Sequence, residues 1–251
     1  MSDTDIYIGG VPHDRAFIGG YEVAQKWQAG EKFFEAKLPI PTDYYLALDL
    51  TSNINDKSAN AHAMKGNNYS FHNIAGKDCI QFTQGIRTAG NVALGNIITI
   101  CAEVYCTTIN LTQFITELSP NIKSYNAFSL YLNEKYSNRT VHTSDRNDYD
   151  YYNRINTYTE AFSLNEWFKV VIVFDRTKTT AVEQRTIYIN NVSQSLVSSS
   201  DNNVLSDNWG NYYLYIGARY LTTGVLQGYM RNFRLYKRLL TDEERLAIYQ
   251  E

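Results

Sequence analysis

The chain has 251 residues, 44% of them hydrophobic and 20% charged, with 23 basic against 26 acidic side chains and a formal net charge of -3. That apolar share is enough for a sizeable core and excludes a disordered chain, while the near-balance of charge excludes an extended nucleic-acid-binding surface. No run approaches the roughly 20 apolar residues that span a bilayer, and the opening MSDTDIYIGG has no apolar stretch flanked by basic residues, so neither membrane insertion nor a secretion signal is expected.

Aromatics are 14% of the chain, with 21 tyrosines. Tyr, Thr, Ile and Val suit a pleated, half-buried surface, and Asn, Ser, Asp and Gly suit turns, so composition points to an all-β protein. The first segment carries an echo. Ile6-Tyr7-Ile8-Gly9-Gly10 is followed ten residues later by Ala16-Phe17-Ile18-Gly19-Gly20. Each half reads as a short strand ended by a glycine pair. Residues 22–34, with Trp27, Phe33 and Phe34 around Gly30, are expected to form a short helix and an arm. Residues 37–41, with Pro39 and Pro41, read as a linker, because proline locks φ and removes ladder donors.

From residue 44 the pattern becomes a series of short strands, predicted at 44–50, 79–82, 97–106, 125–132, 167–174, 186–189, 212–216 and 228–236. Asn, Gly, Asp and Ser clusters bound most of them, the signature of a sandwich or barrel. Asn190-Asn191 between two apolar runs predicts a hairpin turn, since Asn tolerates the left-handed conformation. Thr241-Asp242-Glu243-Glu244 is a capping box opening one short terminal helix. Cys79, Cys101 and Cys106 are too few and too irregularly spaced for a disulfide framework or zinc site and are expected to be buried thiols.

Several of these strings, in this order, resemble the laminin G-like, concanavalin A-like lectin/glucanase superfamily. They are Tyr45-Leu46-Ala47-Leu48-Asp49 with the polar loop 53–62; the strand from Trp167 to Asp175 followed by the Asn190-Asn191 hairpin; and Leu214-Tyr215-Ile216-Gly217, the strand from Gly228 to Tyr236, and the capped helix. The resemblance covers residues 42–250. It implies an all-β jelly-roll β-sandwich of two antiparallel sheets, with a short C-terminal helix docked on it and a small N-terminal β segment. It implies the division 1–36 (assembly or attachment segment), 37–41 (linker) and 42–251 (laminin G-like sandwich). The N-terminal Gly-Gly echo is similar to segments of bacteriophage tail and other virion proteins. That likeness implies a particle component assembled in the host cytoplasm, with other virion subunits or a surface glycan as partners, and a homo-oligomer or larger assembly.

Catalytic signatures of the fold are missing from the sequence. Laminarinase-like members carry Glu-x-Asp-x-Glu on one strand, which sets the acids on one face; no such string occurs here. The acidic cluster 145–150 reads as a solvated loop, with Asp148 and Asp150 its nearest approach to a carboxylate pair. His13, His62, His72 and His142 are scattered, which argues against a transition-metal site. No cofactor is expected. A structural calcium is the alternative, with Asp49 and Asp56 matching the opening loop of calcium-binding relatives and Arg231 opposing it.

The site expected from sequence is an aromatic-polar loop, Tyr149, Asp150, Tyr151, Tyr152, Asn153 and Arg154, with Trp209 and Tyr213 as a second group. A Tyr or Trp ring stacks on the C–H face of a sugar while Asp, Asn and Arg bond its hydroxyls, and the same residues also anchor protein interfaces. The expected function is therefore a non-enzymatic structural or adhesion component of a phage particle, presenting a lectin-like sandwich to glycan or to neighbouring subunits. A bacterial extracellular carbohydrate-binding module is the alternative, and a glycosidase of the same fold ranks below both.

Overall fold

The computed structural model describes residues 16–18, 21–28, 31–36, 38–109, 111–120, 127–133, 139–146, 152–198 and 208–251; side chains are described from residue 38 onward, those of 146, 152 and 153 excepted. The described residues divide into two compact units, one up to Pro41 together with 240–251 and the other 42–239.

The first unit holds a three-stranded antiparallel sheet of β1 (Ala16–Ile18), β2 (Tyr21–Gln28) and β3 (Glu31–Ala36). Ile18 faces Tyr21 and Gln28 faces Glu31, so a Gly-containing residue pair separates each strand from the next. Residues 22–28 and 31–34 are thus strands, not the expected short helix and arm. The pairing of the flanking strands outweighs a weak local preference for helix. The first half of the Gly-Gly echo, residues 6–10, lies outside the described residues. The same unit contains α1 (Asp242–Gln250), whose Thr241 and Glu244 make both bonds of the capping box.

The second unit is the sandwich. Its strands are β4 (Leu46–Leu48), β5 (Met64–Lys65), β6 (Tyr69–Ile74), β7 (Lys77–Phe82), β8 (Ile86–Thr88), β9 (Ile97–Cys106), β10 (Gln113–Leu118) and β11 (Phe128–Leu132). They continue with β12 (Val141–Arg146), β13 (Tyr152–Thr157), β14 (Trp167–Asp175), β15 (Arg185–Ile189), β16 (Val192–Ser193), β17 (Leu196–Ser198), β18 (Leu214–Ile216) and β19 (Gly228–Tyr236). One eight-stranded sheet runs β17-β13-β12-β11-β10-β18-β8-β5. The second runs β16-β15-β14-β9-β19-β7-β6, with β4 also pairing β19. All pairs are antiparallel. The chain steps from one sheet to the other at both edges, from β5 to β6 through 66–68 and from β16 to β17 through 194–195. Those steps shorten the open edges that would otherwise pair with other chains.

The sheets meet over a core to which β9 contributes Ile98, Ile100, Ala102 and Val104, β14 contributes Phe168, Val170, Ile172 and Phe174, and β11 contributes Phe128, Leu130 and Leu132. Each such buried side chain is worth about 1.5–3 kcal/mol. A bulge between Arg231 and Arg234, with Asn232 at φ +52, turns both Met230 and Phe233 inward. At Gly228 a Cβ would lie 1.9 Å from the Tyr105 carbonyl oxygen, so only glycine lets β19 start against β9. In the β15–β16 hairpin Asn190 and Asn191 hold φ +50 and +64 and Ile189 faces Val192, the expected turn. Cys79, Cys101 and Cys106 are buried thiols outside any disulfide.

Strands β9 and β19 have the predicted limits. Strands β5, β6, β8, β10, β12, β13 and β17 are not among the predicted ones; they are short or polar on one face and hold little apolar density to mark them.

Candidate functional site

Strand alternation sorts the eight-stranded sheet into two faces. Phe128, Leu130 and Leu132 of β11, Val141 of β12 and Leu214 and Ile216 of β18 point into the core. Their alternates point outward: Ser129 and Tyr131, His142 and Ser144, and Tyr215. In β10 the bulge between Phe114 and Thr116 sends Ile115 and Leu118 inward and leaves Phe114 and Glu117 outward. Register then builds one row across seven strands: Lys65, Arg87, Tyr215, Glu117, Ser129, Ser144 and Arg154, each beside the next. A parallel row holds Phe114, Tyr131, His142 and Asn156.

The middle of these rows is buried although it lies on the side away from the core, with Glu117 3% and His142 2% exposed. Burying polar groups is costly unless they are bonded, and such clusters mark functional sites. Here Glu117 pairs with the Arg219 guanidinium at 3.2 Å. The Ser129 and Ser144 hydroxyls are 2.5 Å apart. The His142 ring stacks on Tyr131 with centroids 5.1 Å apart, and its Nε2 lies 2.7 Å from the Thr140 hydroxyl. Burial, reinforced by the Arg154 guanidinium, pulls the His142 imidazole down to about 4, so it is neutral at neutral pH. Burial pushes the Tyr215 phenol up, against the pull of Arg87.

A tight turn overhangs this face. Arg219 and Thr223 exchange backbone hydrogen bonds of 2.8 and 2.9 Å, and between them Tyr220 and Leu221 hold φ +49 and +71. Side chains with a Cβ rarely adopt that conformation, which costs on the order of 1–3 kcal/mol each and gathers at functional sites. The turn brings the Tyr220 hydroxyl within 3.0 Å of the Ser119 hydroxyl and lays the Arg219 guanidinium 5.1 Å from the Tyr220 ring. Toward the β8 end the Arg87 guanidinium stacks 4.1 Å over the half-buried Tyr213 ring.

Of the residues expected from sequence, Tyr213 stands on this face just before β18, its ring 6.5 Å from that of Tyr215. Arg154 stands on the same face in β13, four strand spacings or about 19 Å away. Tyr152 and Asn153 belong to β13 by backbone pairing, opposite Arg146 and Asp145, and their side chains lie outside the described residues. Tyr149, Asp150 and Tyr151 lie outside the described residues altogether.

Trp209 is a correction. It is 4% exposed and packs edge-to-face on Phe128 and Phe174 at 5.1 and 5.7 Å, with the Arg176 guanidinium 3.3 Å over its ring. An aromatic ring covered on this scale has no face left for a sugar. Asp145 is the second correction. Instead of opening a solvated loop it lies fully buried within β12, accepting from Arg176 and Arg185 at 2.5 Å each.

Glu117, His142, Ser144, Tyr215 and Arg219 were not singled out from sequence. The signal was present in Phe128-Ser129-Leu130-Tyr131-Leu132, whose strict alternation names a second, outward face.

Asp49 and Asp56 do not fit a calcium ion. The Asp56 carboxylate accepts from the Ala47, Ser58 and His62 amides and the Ser58 hydroxyl at 2.8–2.9 Å, and Asp49 is paired with Lys57. Calcium needs six to eight oxygen donors, and a carboxylate filled by four hydrogen-bond donors supplies none cheaply. Asp56 instead staples the opening loop to β4.

The family model of laminin G type within the concanavalin A-like lectin/glucanases superfamily matches residues 55–244. Among solved structures, domain 4 of AbnA, an extracellular arabinanase from Geobacillus stearothermophilus solved with arabinotriose, superposes with a TM-score of 0.61 at 13% identity, over 83% of this chain and 98% of that one. The receptor binding domain of botulinum neurotoxin D gives 0.60 at 14% identity, over 83% of this chain and 52% of that one. The binding domain of botulinum neurotoxin serotype G gives 0.59 at 14% identity, over 82% and 51%. The chain thus spans about half the length of the neurotoxin domains. No curated protein sequence matches it.

Proposed function

Because the chain belongs to the concanavalin A-like lectin/glucanase superfamily, a fold that hosts many functions, we propose from its own residues that it is a non-enzymatic adhesion protein whose eight-stranded sheet holds glycan on its outer face. The observation that carries this reading is the partly exposed rim of Arg87, Tyr213 and Arg154, held in place by the buried polar row from Tyr215 through Glu117, Ser129 and Ser144. The half-buried Tyr213 ring offers a surface for sugar C–H groups, and the partly exposed Arg87 and Arg154 guanidiniums donate hydrogen bonds to sugar hydroxyls. The segment 149–154, which leads into Arg154, supplies the remaining contacts in this proposal.

Binding without turnover is favoured because Glu117, the carboxylate of this row, is already held by Arg219. Glycoside hydrolysis needs a second carboxyl group about 5–10 Å away, and none stands in the row. The arabinanase domain carrying arabinotriose and the neurotoxin domains named for receptor binding lend support through shared fold alone.

The finer reading is that the chain is a bacteriophage virion component, with residues 1–36 joining the sandwich to a particle. The Gly-Gly echo motivates it. A bacterial carbohydrate-binding module is the second reading, favoured by the near-complete match to the arabinanase domain.

The test is a glycan array followed by calorimetry on the best ligand. Tyr213→Ala and Arg154→Ala should each weaken binding by about tenfold, roughly 1.4 kcal/mol, with melting unchanged. An array without hits, or full affinity in both variants, would overturn the proposal.

A further inference from the structure

The second sheet, which contains β9, β14 and β19, has an outer face of its own. In β9 the core takes Ile100, Ala102 and Val104, so Glu103 and Tyr105 point away from it. Register sets Trp167, Tyr105 and Tyr229 side by side across β14, β9 and β19. Their rings meet edge-to-face with centroids 5.5 and 5.9 Å apart. All three are partly exposed. Two residues along the strands, about 7 Å away, a second row holds Lys169, Glu103 and Arg231. Glu103 is 3% exposed, paired with Arg231 at 3.2 Å and with Lys77, whose side chain is 39% exposed. Lys77 also sits 5.7 Å from the Trp167 ring centre, and the Trp167 indole donates to the Ile74 carbonyl at 3.1 Å. Trp167 is therefore held in place before anything binds, which lowers the ordering cost of a ligand.

We infer that this face is a second ligand surface, and that it takes a carboxylate-bearing linear glycan. The aromatic row matches the apolar C–H faces of successive sugars lying across the strands. The adjoining row brings two cations, Lys169 and Arg231, beside the Glu103 carboxylate, and Lys77 of β7 reaches the same carboxylate, on a chain whose net charge is -3. That local excess of positive charge selects an anionic polymer and suits carboxylates spaced along one edge of it. Cross-strand pairing for stability, worth about 0.2–1 kcal/mol per pair, requires neither partial exposure of the rings nor the cationic row beside them. The inference goes beyond the opposite-face proposal and does not depend on it.

The experiment is affinity electrophoresis of the full chain in gels containing polygalacturonate, hyaluronan or polysialic acid, each run beside its neutral carboxyl-methylated counterpart. At least one carboxylated polymer should retard the protein and its neutral counterpart should not. Tyr229→Ala and Lys77→Gln should each raise the dissociation constant about tenfold, while Arg154→Ala leaves this retardation intact. Melting temperatures of the variants separate lost binding from lost folding, and Lys77→Gln, at an exposed side chain, keeps the test valid if Tyr229→Ala is unstable. No retardation by any polymer, equal retardation by the neutral forms, or full retardation of both folded variants would overturn the inference. Loss of retardation in Arg154→Ala alone would assign the acidic glycan to the other face instead.

Discussion

His142 is the residue whose chemistry most constrains the outer face of the eight-stranded sheet. Its imidazole is folded away neutral, with a folded value of about 4 against about 6.5 in an unfolded chain. The sign follows from linkage. A depressed folded value means the unfolded state binds the proton first as pH falls. Stability from this group is complete above about pH 6.5 and is lost as pH drops toward 4, to a total of about 3 kcal/mol. Urea midpoints at pH 7 and pH 4.5 check this. The native chain should lose about 2–3 kcal/mol more than His142→Asn across that interval. An equal loss in both would place the acid sensitivity elsewhere. The aromatic and basic residues expected at the surface show a related effect. Tyr213 and Arg154 were visible as surface-capable types, but Trp209 was too, and it went inside. Residue type sets what a side chain can do, and the neighbours decide whether it is given the chance.

Among the elements, β12 binds the two sheets together. Its last described carboxylate, Asp145, is bonded to Arg176 after β14 and to Arg185 at the start of β15. These partners lie 31 and 40 residues away in sequence. Arg176 in turn stacks on Trp209, and Arg185 lies 4.9 Å from the Phe174 ring. Replacing Asp145 by Asn leaves two buried guanidiniums without this carboxylate, and breaking a buried pair in that way costs about 3–5 kcal/mol. Equilibrium urea unfolding of Asp145→Asn measures it; a cost under about 1 kcal/mol would mean that the cluster behaves like a surface ion pair. Legibility differed sharply among elements. Strands β9 and β19 were readable because dense β-branched and aromatic runs bounded by turn residues leave little alternative. The Asn190-Asn191 turn was readable because its backbone demand is local. The segment 22–34 carries Gly and Lys, and the start of the 145–150 cluster carries Asp and Asn, residue types that disfavour strand locally; pairing with the neighbouring strands of a three-stranded sheet in the first case, and with β11 and β13 in the second, overrides that preference.

At the scale of the whole molecule, the chain carries a three-stranded N-terminal sheet in one compact unit and a sandwich in another. The proposed particle role makes the N-terminal segment dispensable for glycan binding and necessary for assembly. Deleting residues 1–36 should leave glycan affinity of the sandwich unchanged and abolish incorporation into phage particles, read by mass spectrometry of purified virions. Incorporation of the truncated chain at the native level would refute the attachment role. What the amino-acid order determined by itself was the all-β class, the main strands, the hairpin turn and the capped helix, because two-residue alternation, left-handed asparagines and a capping box are satisfied by neighbours along the chain. Tertiary structure alone decided which alternate side chains share a face, that Trp209 and Asp145 are interior, and that Glu117 meets Arg219. Those outcomes depend on register and on partners far away in the chain, where pairing energy is collected only after folding has brought the strands together.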